Sequence, residues 1–431
     1  MFENILGQGA AEQLALDIAQ GKLAPSMVFI GAAATGKGSA ALELARVVSC
    51  ETPGAPWTCG CPSCSRHRLL AHPDLLALGF RPFSAEIAAA ADAFIRFPQH
   101  EGAVRLLLIR SGRKLLLRFS PTLWEDDPKL GKAAARIGNL EEDLDEIASQ
   151  SSIPADKIEK LCASIIDNAR KLEAEGMGDY IPVAQIRRAA YWSHLAPQGW
   201  RKLLLIERAD RMQEGARNAM LKLLEEPPPG VVIVLTALYG DALLPTILSR
   251  LRPYRFQSRP VEVEQEAMRR VFRREAAPGG GSLISGYLDS FLPISQERVR
   301  PLAAFFAASL FCQSAMLSRN SEALAALAAY VGPIAETAGL GRPAENAGAC
   351  ISALQKANGF SNPGSFRIFL AALLDLYSEG LRQHRCVDPR FAELWRALVG
   401  QAMQASSIYN LSHVLVLEKF CADFKQEIAS L

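Results

Sequence analysis

The sequence has little net charge and no long apolar run. Its 47 basic and 45 acidic residues leave a formal net charge of +2, so we expect any contact with nucleic acid to be local or shared. No uninterrupted apolar segment approaches the roughly 20 residues of a membrane span. Residues 1–14 also show neither the basic head nor the apolar core of a signal peptide. We therefore expect a cytoplasmic protein without a membrane partner.

The cysteines do not follow the pattern of a disulfide scaffold. Of the nine, five stand singly and four crowd between Cys50 and Cys64. This distribution suits a reducing compartment and a metal site. With 431 residues, 49% of them apolar, the chain is also too long for one compact core. Two or three domains are predicted.

Strands and helices alternate in two blocks of the first 258 residues. In the first block, 26–30 reads as a short buried strand, followed by a glycine-containing loop and an alanine-rich helix. The second block resumes near Ile181 and contains the apolar strands 202–207 and 231–238 with a helix between them. Such alternation predicts an α/β domain over 1–258, with a mainly parallel sheet covered by helices on both faces.

Residues from about 80 to 180 have a different pattern and look like an insertion. Two apolar runs flank Ser111-Gly112, which predicts a β-hairpin over 104–119. A helical pair is predicted over 139–175, where it could bind a protein partner. The cations of the hairpin could form a basic ribbon against a phosphate backbone, but without interleaved aromatics we favour a solvated face. These cations are Arg105, Arg110, Arg113, Lys114 and Arg118.

The strand pattern ends at residue 258. Residues 259–290 contain a short basic helix and a glycine-rich break at 278–282, which together predict a small helical lid. From 291 to 431 the apolar residues recur with a helical period. An all-α bundle is therefore predicted for the C-terminal third.

A phosphate-loop pattern, G-x-x-x-x-G-K, lies between the first strand and its helix. In that position backbone N–H groups can cradle phosphates. The hydroxyl that usually follows the lysine and holds Mg²⁺ is missing, because Gly38 takes its place and Ser39 comes one residue late. A glycine loop that merely turns the chain is the alternative. The candidate nucleotide-binding residues are Gly31, Thr35, Gly36, Lys37, Gly38 and Ser39.

The strand 202–207 ends in Glu207, followed by Arg208. A hydrolysing phosphate-loop enzyme presents one carboxylate here to Mg²⁺ and a second to orient water. Glu207 could approach a metal, but the guanidinium of Arg208 offers only donors and cannot accept a proton from water. Weak or absent hydrolysis is predicted. For each residue alone, an ordinary charge at a strand end is the simpler interpretation.

Several segments resemble the AAA+ subunits of the bacterial DNA polymerase III clamp loader, the delta-prime type above all, with gamma/tau as a relative. The resemblance covers about 1–80 and 181–258, in the family's order. It implies a five-subunit ring with gamma/tau and delta types, a C-terminal helical collar for oligomerisation, and contact with the sliding clamp and primed DNA. The segments are FENILGQ at 2–8, HPD at 72–74, NAMLKLLEEPP at 218–228 and LSR at 248–250.

The same resemblance implies roles for three residues near the end of the α/β domain. Ser249 and Arg250 match the S-R-C motif, whose arginine reaches the ATP of a neighbouring subunit. A guanidinium supplied in trans neutralises charge on the transferred phosphoryl group. Thr236 matches the nucleotide sensor. The alternatives are an arginine paired with a carboxylate at a sheet edge and a plain β-branched strand residue.

A zinc module at residues 50–64 is also implied by the resemblance. Four thiolates suffice for a closed tetrahedral structural site. The spacing is tighter than usual in the family, since only Gly60 separates the second and third cysteine. Free thiols are the alternative, and His67 is a spare ligand that we expect to be solvated. The predicted zinc ligands are Cys50, Cys59, Cys61 and Cys64.

Two functions compete on this sequence. The first is a delta-prime-like subunit of the DNA polymerase III complex that does not hydrolyse ATP, supports the ring and presents Arg250 to an active neighbour. The second is a gamma/tau-like motor that hydrolyses ATP despite Gly38 and Arg208. Whether ATP and Mg²⁺ bind at all stays open, because phosphate cradling needs no catalytic carboxylate. An AAA+ regulator outside replication would leave the 218–228 and 248–250 segments unexplained.

Overall fold

A computed structural model of the chain divides into two compact units, Met1–Phe291 and Leu292–Leu431. The helices in the parts of the chain that it describes are all too short or too polar to cross a bilayer. The glycine-rich break predicted at 278–282 lies, apart from Ser282, outside the described residues. The structure describes residues 1–79, 81–97, 102–125, 127–150, 152–177, 181–240, 243–275, 282–292, 296–314, 321–357, 363–383, 389–407 and 411–430.

The first unit is built on a sheet of five parallel strands. Their order is β2-β3-β4-β1-β5, so the strand that comes first in the chain lies between β4 and β5. The strands are β1 Ser26–Ile30, β2 Leu75–Gly79, β3 Lys202–Glu207, β4 Val231–Ala237 and β5 Arg252–Arg255.

Successive residues of the central strands pack into two different cores. In β1, Met27 and Phe29 belong to one apolar cluster, whereas Val28 and Ile30 belong to another. Because neighbouring side chains of a strand point to opposite faces, a sheet covered on both faces must be apolar at nearly every position. The predicted parallel sheet with helices on both faces is confirmed.

Helices α1 and α2 contribute to the apolar cluster on one face of the sheet, while α4, α5 and α7 to α10 contribute to the cluster on the other. The short helix α11 precedes β5. The helices of this unit are α1 Gly9–Ala19, α2 Lys37–Val48, α3 Pro62–Arg68, α4 Ser84–Arg96, α5 Gly102–Leu116, α6 Pro121–Trp124, α7 Pro128–Ser149, α8 Ala155–Gly176, α9 Val183–His194, α10 Glu214–Glu225, α11 Pro245–Leu248, α12 Val261–Phe272 and α13 Leu283–Asp289.

The predicted β-hairpin over 104–119 is wrong, because this stretch forms α5 and a 3-10 turn at Leu117–Phe119. Val104, Leu108 and Leu115 are buried, at the spacing of one helix face. Gly112 does not turn the chain. A Cβ atom placed on it would lie 2.7 Å from Leu144 Cδ1, so the glycine instead lets α5 approach α7 closely.

The cations of this stretch form neither a basic ribbon nor a solvated face. None of the five is exposed, and each donates to an acceptor within the first unit. The solvated face that the sequence favoured is therefore wrong, and the alternative of a basic ribbon is also absent from the described structure. The acceptors are Gln150 for Arg105, His67 and Arg68 for Arg110, Leu69 and Asp145 for Arg113, Glu86 for Lys114, and Glu207 and Gly79 for Arg118.

Helices α12 and α13, which fall within the predicted lid, pack on α4 and α5. Met268 and Phe272 of α12 bury against Ala89 of α4, with Leu283 and Tyr287 of α13 alongside. Glu264 accepts hydrogen bonds from Ser282 Oγ at 2.7 Å and from the Leu283 N–H at 2.7 Å, which fastens the start of α13 to α12.

The second unit is all-helical in its described residues, which confirms the predicted all-α C-terminal third. Its core is aromatic, with Trp395 packed among Phe311, Phe420 and Phe424. The helices are α14 Gln296–Ser314, α15 Ser321–Glu336, α16 Ala347–Lys356, α17 Pro363–Gln383, α18 Pro389–Ser407 and α19 His413–Ser430.

Candidate functional site

The carboxyl ends of three neighbouring strands bring the candidate residues to one edge of the sheet. Ile30 at the end of β1 is in register with Ala237 of β4, and Phe29 with Thr236. Ile206 of β3 is in register with Leu235. The phosphate loop that follows Ile30, the strand-end Glu207 and Thr236 therefore share the edge where ligands of parallel α/β sheets bind.

Two glycines give the phosphate loop its shape. A Cβ on Gly31 would lie 2.1 Å from the carbonyl oxygen of Phe256, so only glycine allows these backbones to pass. Gly36 has φ +93° and caps the N-terminus of α2 in the left-handed region that favours glycine. Thr35 is buried and donates to Ala32 O at 2.9 Å, whereas Ser39 is exposed on α2.

The Lys37 ammonium folds back onto the loop. Its Nζ lies 2.5 Å from Gly31 O and 2.5 Å from Ala32 O. Burial, together with the positive charge of Arg208, lowers the pKa of Lys37 to about 8, although Glu207 and Asp210 oppose the shift. The lysine is thus a buried cation held on carbonyl oxygens at the start of α2.

Glu207 is buried among arginines that the sequence analysis did not connect with it. Its Oε2 accepts from Arg118 and, at 3.3 Å, from Arg81. Burial opposes its ionisation, but the charges of Arg81 and Arg118 outweigh that effect and hold the carboxyl pKa below its ordinary value. Glu86 extends the cluster by pairing with Arg81 at 2.8 Å and with Lys114.

The Arg208 side chain is bound to a neighbouring carboxylate rather than to the phosphate loop. Its backbone has φ 54°, and its N–H donates to Thr236 Oγ1 at 3.1 Å. Its guanidinium grips Asp210, with 2.8 Å between Nη2 and Oδ2. The hydroxyl of Thr236 therefore holds the backbone that follows β3, and the nearby carboxylate of Asp210 is neutralised.

A further cation, Arg259, lies on the other side of the phosphate loop. Its Nε donates to Leu6 O and its Nη1 to Ala34 O, both at 2.8 Å. Its Nη2 is 2.7 Å from the point where a Cβ on Gly36 would stand. The guanidinium thus bridges the N-terminal segment and the loop.

Arg250 lies at the surface just after α11, beside the end of α10. Its Nη2 is 2.7 Å from Glu225 Oε1, and its Nη1 donates to Thr246 O at 2.7 Å. Ser249 Oγ donates to the same carbonyl at 3.1 Å. Arg250 is therefore paired with a carboxylate, and its guanidinium also lies at the surface, where a neighbouring subunit could contact it. This geometry is compatible with both the paired-arginine and the arginine-finger interpretations.

The four cysteines of the 50–64 module converge as a metal site requires. Their sulfur atoms all lie within 4.8 Å of one another. A zinc ion about 2.3 Å from each thiolate would set the sulfurs about 3.8 Å apart, and Cys50 and Cys59 stand at 3.7 Å. Cys61 caps α3 and accepts from the Cys64 N–H at 3.4 Å. The residues therefore fit a structural zinc ion despite the short spacing.

A buried arginine ties the cysteine module to α2. Arg46 pairs with Glu43 at 2.6 Å and donates to Cys64 Sγ at 3.2 Å. The expected solvation of His67 is wrong. His67 is 1% exposed and stacks on His72 at 4.1 Å between ring centroids, because α3 turns it inward against the H-P-D turn.

Asp74 connects the H-P-D turn to a loop that is distant in sequence. Its carboxylate accepts from the N–H groups of Gln198 and Gly199 at 2.9 and 2.7 Å. The H-P-D segment thereby ties the start of β2 to the loop that precedes β3.

A parallel sheet that delivers a glycine loop, a lysine and a strand-end carboxylate to one edge defines a P-loop α/β protein. The family model described as DNA polymerase III, delta subunit, matches residues 7–115 and 139–260, more than half of the chain. The chain belongs to this family, which confirms the resemblance drawn from the sequence segments. The match also includes most of 80–180, which those segments did not reach.

Curated relatives carry related names. DNA polymerase III subunit gamma/tau of Mycobacterium tuberculosis is 25% identical over 120 residues, 26% of this chain and 20% of that protein. DNA polymerase III subunit delta' of Pseudomonas aeruginosa is 41% identical over 80 residues, 18% of this chain and 24% of that protein. The chain thus spans about a quarter or less of the length of these relatives.

Among solved structures, a DNA polymerase III gamma subunit-related protein of Thermotoga maritima aligns at 18% identity with a TM-score of 0.25. The alignment covers 63% of this chain and 90% of that protein.

Proposed function

We propose that this chain is a delta-prime-type AAA+ subunit of the replicative clamp loader, which supports the ring and does not hydrolyse ATP. The observation that carries the proposal is the state of Glu207, a buried carboxylate held by Arg118 and Arg81. Together with Gly38 in place of the usual hydroxyl and Arg208 in place of a second carboxylate, it leaves the described residues of this strand edge without the usual ligands for Mg²⁺ and without a base for water. Membership of the delta-subunit family supports the assignment.

Arg250 is the residue by which such a subunit acts on its neighbours. Its exposed guanidinium is oriented by Glu225 and the Thr246 carbonyl, and it can exchange Glu225 for a phosphate group. We assign it as the arginine finger in trans, with Ser249 as its support. Gamma/tau and delta-type subunits, the sliding clamp and primed DNA are the partners, and a zinc ion on the four cysteines is the structural cofactor.

The experiment compares isolated and assembled protein. The purified chain is assayed for ATP turnover beside its Lys37→Ala variant, and we expect no turnover above that variant. The Arg250→Ala chain, assembled with active loader subunits, should lower their DNA-stimulated ATPase by about 10³-fold at the affected site. Arg269→Ala, which removes another surface arginine paired with a glutamate, Glu266, is the control. Unchanged activity with Arg250→Ala would sink the finger assignment.

The alternative is a gamma/tau-like motor, favoured by the 25% identity to gamma/tau proteins over 120 residues. It predicts turnover by the isolated chain that disappears in Lys37→Ala. The same assay therefore decides between the two functions.

A further inference from the structure

Glu207 and its surroundings do not fit a magnesium ion. In phosphate-loop enzymes the hydroxyl after the lysine and a strand-end carboxylate hold Mg²⁺. Here the hydroxyl is absent, and a Cβ on Gly38 would lie only 2.5 Å from Glu207 Oε1. The carboxylate thus reaches over the first turn of α2 and lies where a serine or threonine side chain would begin.

The other oxygen of the carboxylate is already occupied by cations of the protein. Oε2 accepts from Arg118 and Arg81, and the Arg118 guanidinium is buried. A divalent ion at this carboxylate would have to displace both guanidiniums or stand beside them, where like charges repel. Arg118 Nη1 is buried and has no hydrogen-bond partner among the described residues. The described residues thus leave one donor of this buried guanidinium unsatisfied.

Two more cations lie against the loop itself. Lys37 and Arg259 donate to the carbonyl oxygens of Gly31, Ala32 and Ala34. In the part of the chain that the structure describes, neither is within ion-pair distance of a carboxylate. Two cations that contact the same glycine loop and have no carboxylate partner create a positive site whose charge is complementary to that of a phosphate chain.

We propose that the guanidinium groups of Arg118 and Arg81 replace the magnesium ion at this phosphate loop, which binds a nucleoside polyphosphate in its metal-free form. The inference rests on the proposed function, since it concerns the same loop. It explains how a subunit can retain a phosphate loop while lacking hydrolysis. The ligand would stabilise the fold without being consumed.

The first test measures binding of a fluorescent ATP analogue to the full chain, in magnesium-free buffer and with added Mg²⁺. Chelators are avoided because they would attack the cysteine module. We expect the dissociation constants in the two buffers to agree within about twofold, and Lys37→Ala to weaken both by at least about tenfold. An affinity that rises about tenfold with Mg²⁺ would overturn the proposal, as would the lack of Lys37-dependent binding in either buffer.

The second test examines whether removal of one guanidinium allows Mg²⁺ to bind with the nucleotide. Arg81→Gln removes the more accessible guanidinium from Glu207, and Arg113→Gln removes a cation of α5 that pairs with Asp145 instead. Circular dichroism verifies that both variants are folded. We expect Mg²⁺ to strengthen nucleotide binding at least about threefold in Arg81→Gln only, with Mn²⁺ giving an electron paramagnetic resonance signal of bound metal. Identical metal independence in the two variants would contradict the replacement.

The two proposals fail separately. ATP turnover by the isolated chain would end the proposed function. Metal-dependent nucleotide binding without turnover would remove only the metal replacement and leave the role of Arg250 untouched.

Discussion

Two arginine–glutamate contacts in the first unit differ sharply in burial. The side chains of Arg118 and Glu207 are 5% and 8% exposed, whereas those of Arg250 and Glu225 are 34% and 51% exposed. Separating a buried pair leaves an uncompensated charge in a poorly solvated site, but water solvates both partners of an exposed pair. The buried arginine is therefore fixed, and the exposed one is free to change partners.

The cysteine module also contains a buried arginine, since Arg46 lies between Glu43 and Cys64. We therefore expect the buried Arg118 and Arg46 to be required for stability, whereas the exposed Arg250 is required for contact with a neighbouring subunit. Variants at the cysteine module, at the buried pair and at the exposed pair test this expectation.

The largest effect is expected from loss of the metal. Cys61→Ser should remove about one zinc ion per chain and lower the free energy of unfolding by several kcal/mol, because a four-cysteine site closes the loop around Arg46. Metal analysis and urea denaturation measure both. Cys312→Ser, at an exposed thiol outside the module, is the control. A wild-type chain without zinc would contradict the site.

The next effect concerns the buried pair. Arg118→Ala should lower the free energy of unfolding by about 3 kcal/mol, because Glu207 stays buried with only Arg81 beside it. Urea denaturation of the folded variant gives the value. Arg113→Ala, on the neighbouring helix α5, removes a more exposed pair with Asp145 of α7 and should cost at most about 1 kcal/mol. Equal losses in the two variants would mean that burial does not separate the two kinds of arginine.

The sequence predicted the parts of the fold that follow from periodicity. Strands β1, β3 and β4 are apolar at consecutive positions, and the phosphate loop lies directly between β1 and α2, so the local pattern was sufficient to predict these elements. Residues 104–119 show where it failed. Leucine-rich runs around Ser111-Gly112 suit a hairpin and a buried helix equally well, and only contact with α7 decides for the helix.

Because of the same error, the contact between Arg118 and Glu207 was not predicted. Once 104–119 was taken as a hairpin, Arg118 belonged to a surface ribbon, and nothing linked it to Glu207, 89 residues further on. Arg81 and Arg259 also come from loops beside strand ends, where no motif marks them. By contrast, Lys37 and the four cysteines could be named as candidates from the sequence, because a phosphate loop and a cysteine cluster are recognised by short spacings.

A smaller effect should appear as a pH dependence. The pKa of Glu207 and that of Glu86 lie below the ordinary glutamate value of 4.5 because nearby arginine and lysine outweigh burial. Groups with a depressed pKa in the folded state stabilise the fold above the unfolded pKa, and this contribution is lost as the pH falls through the folded value. The cluster should therefore stabilise the protein fully above pH 4.5 and progressively less below it.

This dependence is measured as the difference in unfolding free energy between the wild type and Glu207→Gln at pH 7 and at pH 4. We expect the difference to shrink by about 1 kcal/mol at the lower pH. Glu225→Gln, in the exposed pair, is the matched control and should change little. A difference that grows on acidification would have the wrong sign for the proposed ion pairs.

The smallest effect on stability is expected at Arg250. Arg250→Ala should change the free energy of unfolding by less than about 0.5 kcal/mol, because its contact with Glu225 is exposed. Glu225→Ala frees the guanidinium without removing it, so an assembled loader should keep most of its ATPase with this variant and lose it with Arg250→Ala. If Arg250→Ala instead destabilised the isolated chain as much as Arg118→Ala, Arg250 would be a structural arginine, and its loss could not be interpreted as loss of a finger.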